Sequence, residues 1–244
     1  MTEARNRTQN RTDDRKRTDI SIVLDRSGSM RVRAREVITS FNDFLVEQRG
    51  VEGKARVSLV QFDHEYETTY AGRKLAEAPS LDERTYRPRG RTALHDAIGR
   101  TVTEAEARLA RRAVKRRAKG RDVDAPDVLV VVITDGMENA SREYGSRDVR
   151  ALVTRLEEKD GWTFLFMGTT QEAALQARRF GLAADRVFAM GDGPGAYEAA
   201  QELVGSKVRR MRMASRSASM DAKRAMLAFT DEEREAARSR DEGS

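Results

Sequence analysis

The stretch that most constrains this chain is DISIVLDRSGSM, from Asp19 to Met30. Ile20, Ile22, Val23 and Leu24 form a short apolar run rich in β-branched residues, the pattern of a strand buried on both faces. It stops abruptly in a polar turn. Asp25, Ser27 and Ser29 alternate along that turn, so their oxygens can converge above the carboxyl end of the strand, and Gly28 permits the tight backbone path. One carboxylate and two hydroxyls are hard donors. They suit a small divalent cation such as Mg²⁺, which takes near-octahedral oxygen coordination and here needs ligands from elsewhere in the chain.

Two later stretches can supply them. Asp127 to Ile133 (DVLVVVI) is the most apolar run, and it ends in Thr134-Asp135-Gly136, repeating the pattern of strand followed by acidic turn. Asp135 is the natural second carboxylate. Between the two strands, Arg89 to Gly99 (RGRTALHDAIG) delivers Thr92 to the start of a helix. Taken singly, each of these segments equally suits an Asx or Ser turn that caps a helix. Their joint occurrence points to a site, because loops at the carboxyl ends of parallel strands gather where strand order reverses.

The rest of the chain supports such a sheet. Val37, Phe41, Phe44 and Leu45 make one helical stripe before Gly50, and Ala55–Phe62 with Glu65–Tyr70 reads as a hairpin with an exposed edge strand. Leu94, Ile98, Val102, Ala105 and Leu109 line a second helix, and Val149, Leu152, Val153 and Leu156 a third that Gly161 breaks. Trp162–Met167 and Arg186–Met190 are further strands, separated by a helix over Gln171–Phe180. A turn cluster at Gly191–Gly195 precedes a closing helix from about Ala196, expected to cover the sheet near its sixth strand. The order β-α-β-β-α-β-α-β-α-β-α predicts a doubly wound, mostly parallel six-stranded sheet with one antiparallel edge strand.

The constellation of Asp25, Ser27 and Ser29 in D-x-S-x-S, Thr92 in a following loop and Asp135 in a T-D-G turn resembles the von Willebrand factor type A (VWA) domain. The resemblance covers roughly residues 18–214 and extends to stand-alone bacterial members with similar DRSGSM and TDG-x-ENAS segments. It implies a Rossmann-like three-layer sandwich and a metal-ion-dependent adhesion site (MIDAS) at those five positions. In family terms Ser27, Ser29 and Thr92 bind Mg²⁺, or alternatively Mn²⁺, directly. Asp25 and Asp135 act largely through water, and one coordination position is left for a partner's Glu or Asp. The acidic pair that integrin-type members use for an adjacent second metal is absent, since Met30-Arg31-Val32-Arg33 follows the motif. Bacterial members often serve complexes with AAA-type ATPases or stress-response systems.

Length and composition bound the alternatives. A chain of 244 residues suits one α/β domain with tails: a polar, disordered segment over 1–17, the domain over 18–214, and a charged tail or helix over 215–244. Without cysteine, thiol catalysis, zinc–thiolate sites and disulfides are excluded. No run approaches the roughly 20 apolar residues of a membrane span, and the start lacks the apolar core of a signal peptide, so a cytoplasmic protein is expected. The net charge of +6 concentrates in Arg111–Arg121 and Lys207–Arg216, which makes nucleic-acid binding the alternative function. Against it, stacking aromatics are not interleaved with the basic residues. An aspartyl phosphohydrolase would want a carboxylate at position 27, where Ser27 stands, so a non-enzymatic binding module is expected. His95 and Asp96 read as first-turn helix residues, and Glu138 and Asn139 as polar neighbours rather than ligands.

Overall fold

The computed structural model describes residues 17–121, 124–168, 171–190, 195–214 and 218–242. Six strands form one sheet: β1 (Arg17–Asp25), β2 (Lys54–Phe62), β3 (Tyr66–Lys74), β4 (Asp127–Thr134), β5 (Thr163–Gly168) and β6 (Val187–Ala189), in the order β3-β2-β1-β4-β5-β6. All neighbours pair parallel except β2 and β3, the antiparallel hairpin at the edge. The sequence reading ended β3 at Tyr70, but pairing continues to Lys74. There Gly72, at φ +55°, donates its N–H to Ser58 Oγ at 2.8 Å, beside an irregularity in the β2–β3 register.

Period-two alternation divides the central strands between two cores. Ile20, Ile22 and Leu24 of β1 with Leu129, Val131 and Ile133 of β4 face one way, towards α1 (Ala34–Arg49) and α5 (Ala196–Met213). Val23 and Val128, Val130 and Val132 face the other, towards α2 (Leu94–Arg117), α3 (Ser146–Glu158) and α4 (Gln171–Arg179). Helices on both faces explain why β1 and β4 are apolar on both sides. A 3₁₀ turn, Gly28–Arg33, precedes α1.

The closing helix is where the structure corrects the sequence reading. Instead of covering the sheet near β6, α5 lies against α1 over the middle of the sheet. Tyr197, Gln201 and Val204 meet Phe41, Phe44, Ile22 and Ile133 there, and Gln48 Nε2 donates to the Gly205 carbonyl at 2.9 Å. Gly205 sits where a Cβ would collide with the Glu47 carboxylate, so the two helices approach closely.

The charged C-terminal segment forms two helices, α6 (Met220–Leu227) and α7 (Asp231–Glu242), and the stretch between them packs into the domain. Leu227 and Phe229 are buried with the α5 core, and the Phe229 ring lies 4.9 Å from Phe188. The expected disorder over 1–17 falls outside the described residues apart from Arg17, which opens β1. The turn cluster at 191–195 lies outside them apart from Gly195, at φ +79°. Among the described residues, no helix is long and apolar enough to cross a membrane.

Candidate metal centre

Strand order reverses between β1 and β4, which lie side by side with Leu24 opposite Ile133. Their acidic turns therefore emerge together, at the position where open α/β sheets bind ligands. Asp25 is fully buried at the end of β1. Its Oδ2 accepts from Thr134 Oγ1 at 2.5 Å, its Oδ1 from the Ser27 N–H at 2.6 Å, and its carbonyl from the Tyr86 hydroxyl at 2.7 Å. Both carboxylate oxygens are thus fixed before anything binds. Ser29 Oγ donates to Asp135 Oδ1 at 2.7 Å across 106 residues of sequence, and lies 3.1 Å from Ser27 Oγ.

Thr92 reaches the same point from the third loop. A Cβ added at Gly136 would lie 2.9 Å from Thr92 Oγ1, so Gly136 is the residue that lets the Asp135 turn approach this hydroxyl. The loop is held from two sides. Thr92 donates its N–H to Asn139 Oδ1 at 3.0 Å and accepts the Asn139 N–H on its carbonyl at 3.0 Å. On the other side, Gly28 N–H donates to the Gly90 carbonyl at 3.2 Å and Arg89 N–H to the Arg26 carbonyl at 2.7 Å. All five side chains singled out from the sequence therefore meet at one rim.

The electrostatics fit a cation. Burial pushes the Asp25 carboxyl up to about 7, against the hydrogen bonds from Thr134 and Ser27, and repulsion from Asp135 adds to the rise. Burial also raises Asp135, opposed by its bond from Ser29. Asp25, fully buried, and Asp135, half-buried, share a pocket with three hydroxyls, and Arg33 offsets the rise at Asp135 only in part, so the pair lacks full compensating charge. An oxygen-coordinated divalent ion would supply that charge. Among the described residues, no group of three or more His, Cys, Asp or Glu is arranged to hold a metal ion.

Several supporting residues were not legible as such in the sequence. Glu138 accepts from the backbone N–H groups of His95, Ala140 and Ser141 and from Ser141 Oγ, at 2.6 to 2.9 Å, and this holds its carboxyl low despite burial. It ties the Asp135 loop to the start of α2. Asp96 does the same from the helix: it accepts from the N–H groups of Arg142, Glu143 and Tyr144 at 2.8 to 2.9 Å, a second use of a residue first read as favouring its own helix terminus. His95 packs edge-on against Phe180, and burial lowers its pKa. Asp63, fully buried after β2, binds Arg26 and Arg89 at 3.1 and 3.0 Å and accepts the Glu65 N–H. That pairing joins the first two loops to the hairpin. The bonds among these that join separate loops span 26 to 48 residues, and only long-range geometry reveals them.

The basic clusters fare differently. Lys207 is buried and bound to Glu233 at 2.7 Å and to the Ala228 carbonyl, while Arg212 is buried against the Gln48 carbonyl at 2.5 Å. Two cations of the expected 207–216 patch therefore serve the interior. Arg111, Lys115 and Arg117 are exposed at the end of α2.

A doubly wound sheet whose switch-point loops present paired carboxylates and hydroxyls defines a class of α/β domains with a hard-oxygen rim. Within it, the chain belongs to the von Willebrand factor type A domain family, which matches residues 19–202. Its fold is similar to that of proximal thread matrix protein 1 from the mussel byssus, with a TM-score of 0.54 at 17% identity, over 79% of this chain and 48% of that one. The chain thus spans about half the length of the mussel protein, which has also been solved with a zinc-occupied MIDAS motif. The pilus adhesin SpaC from Lactobacillus rhamnosus GG matches with a TM-score of 0.54 at 15% identity, over 81% of this chain and 30% of that one. The von Willebrand factor domain of the pilus tip protein Mfa5 from Porphyromonas gingivalis matches with a TM-score of 0.53 at 12% identity, over 84% and 99%. No curated protein matches.

Proposed function

We propose that this protein is a non-enzymatic, metal-dependent protein-binding module. Ser27, Ser29 and Thr92 would hold Mg²⁺ or Mn²⁺, with Asp25 and Asp135 acting largely through water, and a partner's Glu or Asp would complete the coordination shell. The observation that carries this reading is the convergence of two acids, both with raised pKa, and three hydroxyls from loops far apart in sequence. A cation ligated mainly by neutral hydroxyls keeps much of its charge, so an incoming carboxylate gains a strong electrostatic interaction. The zinc-occupied MIDAS of the mussel protein and the adhesins among the similar folds support the same reading. We further propose that the module is a bacterial, cytoplasmic adaptor, with an AAA-type ATPase or a stress-response complex as the partner class.

Calorimetric titration with Mg²⁺ and Mn²⁺ tests the site: saturable binding in the wild type should disappear in Asp25→Ala and Asp135→Ala. Affinity capture with Mg²⁺ or EDTA, comparing wild type with Ser27→Ala, tests the function. A partner retained equally under all these conditions would rule the metal-bridged mode out.

A further inference from the structure

The loops that carry the proposed metal ligands also carry an excess of unspent positive charge. Arg31 lies two residues after Ser29, Arg91 immediately before Thr92, Arg87 four residues earlier in the same loop, and Arg142 in the Asp135 loop. All four are exposed, and none makes a side-chain hydrogen bond or ion pair among the described residues. Other arginines here are engaged: Arg33 with Glu36, Arg84 with Asp82, and Arg89 with Asp63 and Glu65. The acids on these loops are likewise used. Glu138 is bonded to backbone and Glu143 to Arg100, and on these loops Glu83 is the exposed acidic side chain left without a partner among the described residues. Four exposed guanidinium groups against one such carboxylate therefore lie on the loops that present the proposed metal ligands.

Two apolar side chains stand among them. Val32 is 87% exposed between Arg31 and Arg33, and Met137 is 54% exposed two residues after Asp135. Aromatic stacking groups are lacking: on these loops Tyr86 is buried and Tyr144 packs against Gly99. A surface of guanidinium groups and aliphatic side chains without exposed rings suits a polypeptide carboxylate better than nucleic-acid bases.

We propose that the ligand of this rim is a markedly acidic polypeptide segment, in which one carboxylate meets the cation while neighbouring Glu or Asp side chains pair with Arg31, Arg87 and Arg91. This rests on the metal-dependent reading above and adds to it the chemistry that selects among partners. Each neighbouring pair is exposed and weak alone, so the selection comes from several acting together and falls with salt.

The test uses the full chain and three fluorescent peptides: decaglutamate, a Gly/Ser decapeptide with one central Glu, and decalysine, read by anisotropy with Mg²⁺ or EDTA. Decaglutamate should bind in Mg²⁺, and the single-Glu peptide about tenfold or more weakly. The triple variant Arg31→Gln, Arg87→Gln, Arg91→Gln should lose that preference while its calorimetric Mg²⁺ affinity stays within about twofold of wild type, as expected for exposed charges outside the coordination shell. Full decaglutamate binding by the triple variant, or a single-stranded oligonucleotide that displaces decaglutamate from the wild type at lower concentration, would overturn the proposal. Failure of the wild type to bind Mg²⁺ at all would instead remove the metal reading beneath it.

Discussion

At the scale of single residues, Asp25 is where stability and cation binding conflict. Its carboxyl is raised from the ordinary 3.8 to about 7 by burial, so the metal-free fold binds a proton that the unfolded chain releases. Folded-state proton binding exceeds unfolded-state binding between those values, and metal-free stability should therefore fall as pH rises from about 4 to about 7. A cation competes with that proton. Mg²⁺ should raise the thermal midpoint more at about pH 8 than at about pH 5, and an equal increment at both would contradict this assignment of the buried acid. Gly136 offers a complementary probe. Its φ is not in the left-handed region, so Gly136→Ala leaves the backbone unstrained, but the new Cβ presses on Thr92 Oγ1. The expected result is weakened Mg²⁺ binding with a change in unfolding free energy below about 1 kcal/mol.

At the scale of elements, the three loops are positioned by bonds between them more than by their own propensities. Asp63 is the clearest case, because its buried carboxylate compensates Arg26, which is itself 6% exposed. Asp63→Ala should leave that guanidinium with Glu67, at 2.5 Å and half-exposed, as its remaining counter-charge and cost about 2–3 kcal/mol in urea unfolding. A loss below about 1 kcal/mol would mean that Glu67 alone compensates Arg26. Strands, most helix stripes and both acidic turns were legible in sequence, because burial on β1 and β4 writes a period of two and the turns write Asp, Ser and Gly. The carboxylates of Asp63, Asp96 and Glu138 were not. Each looks like a turn or helix-start residue locally, and its role depends on N–H groups and guanidinium groups brought close only by the fold.

At the scale of the whole molecule, the C-terminal segment is part of the packed structure. Lys223 binds Asp127 at the start of β4 at 2.7 Å, the Phe229 N–H donates to the Asp185 carbonyl at 2.6 Å, and Glu233 neutralises buried Lys207. The composition of 215–244 reads as a charged tail or helix, and its packing was not legible because its anchors, Leu227 and Phe229, are sparse among charges. The location of α5 was hidden for a related reason: an apolar stripe does not name the strands it covers, and the packing against α1 shows it. Ending the chain after Ala214 should uncover the surface beneath Leu227 and Phe229 and leave Lys207 without its carboxylate. At about 1.5–3 kcal/mol per large apolar side chain, the loss should be several kcal/mol and visible as a lower urea midpoint. An unchanged midpoint would show that the segment adds nothing to the fold.

The account stands most directly on one measurement: anomalous diffraction from crystals of the wild-type protein soaked in Mn²⁺. The predicted result is a single strong peak between Ser27, Ser29 and Thr92, with Asp25 and Asp135 around it, that is lost in Asp25→Ala. No peak at that rim, or one that persists without Asp25, would contradict it.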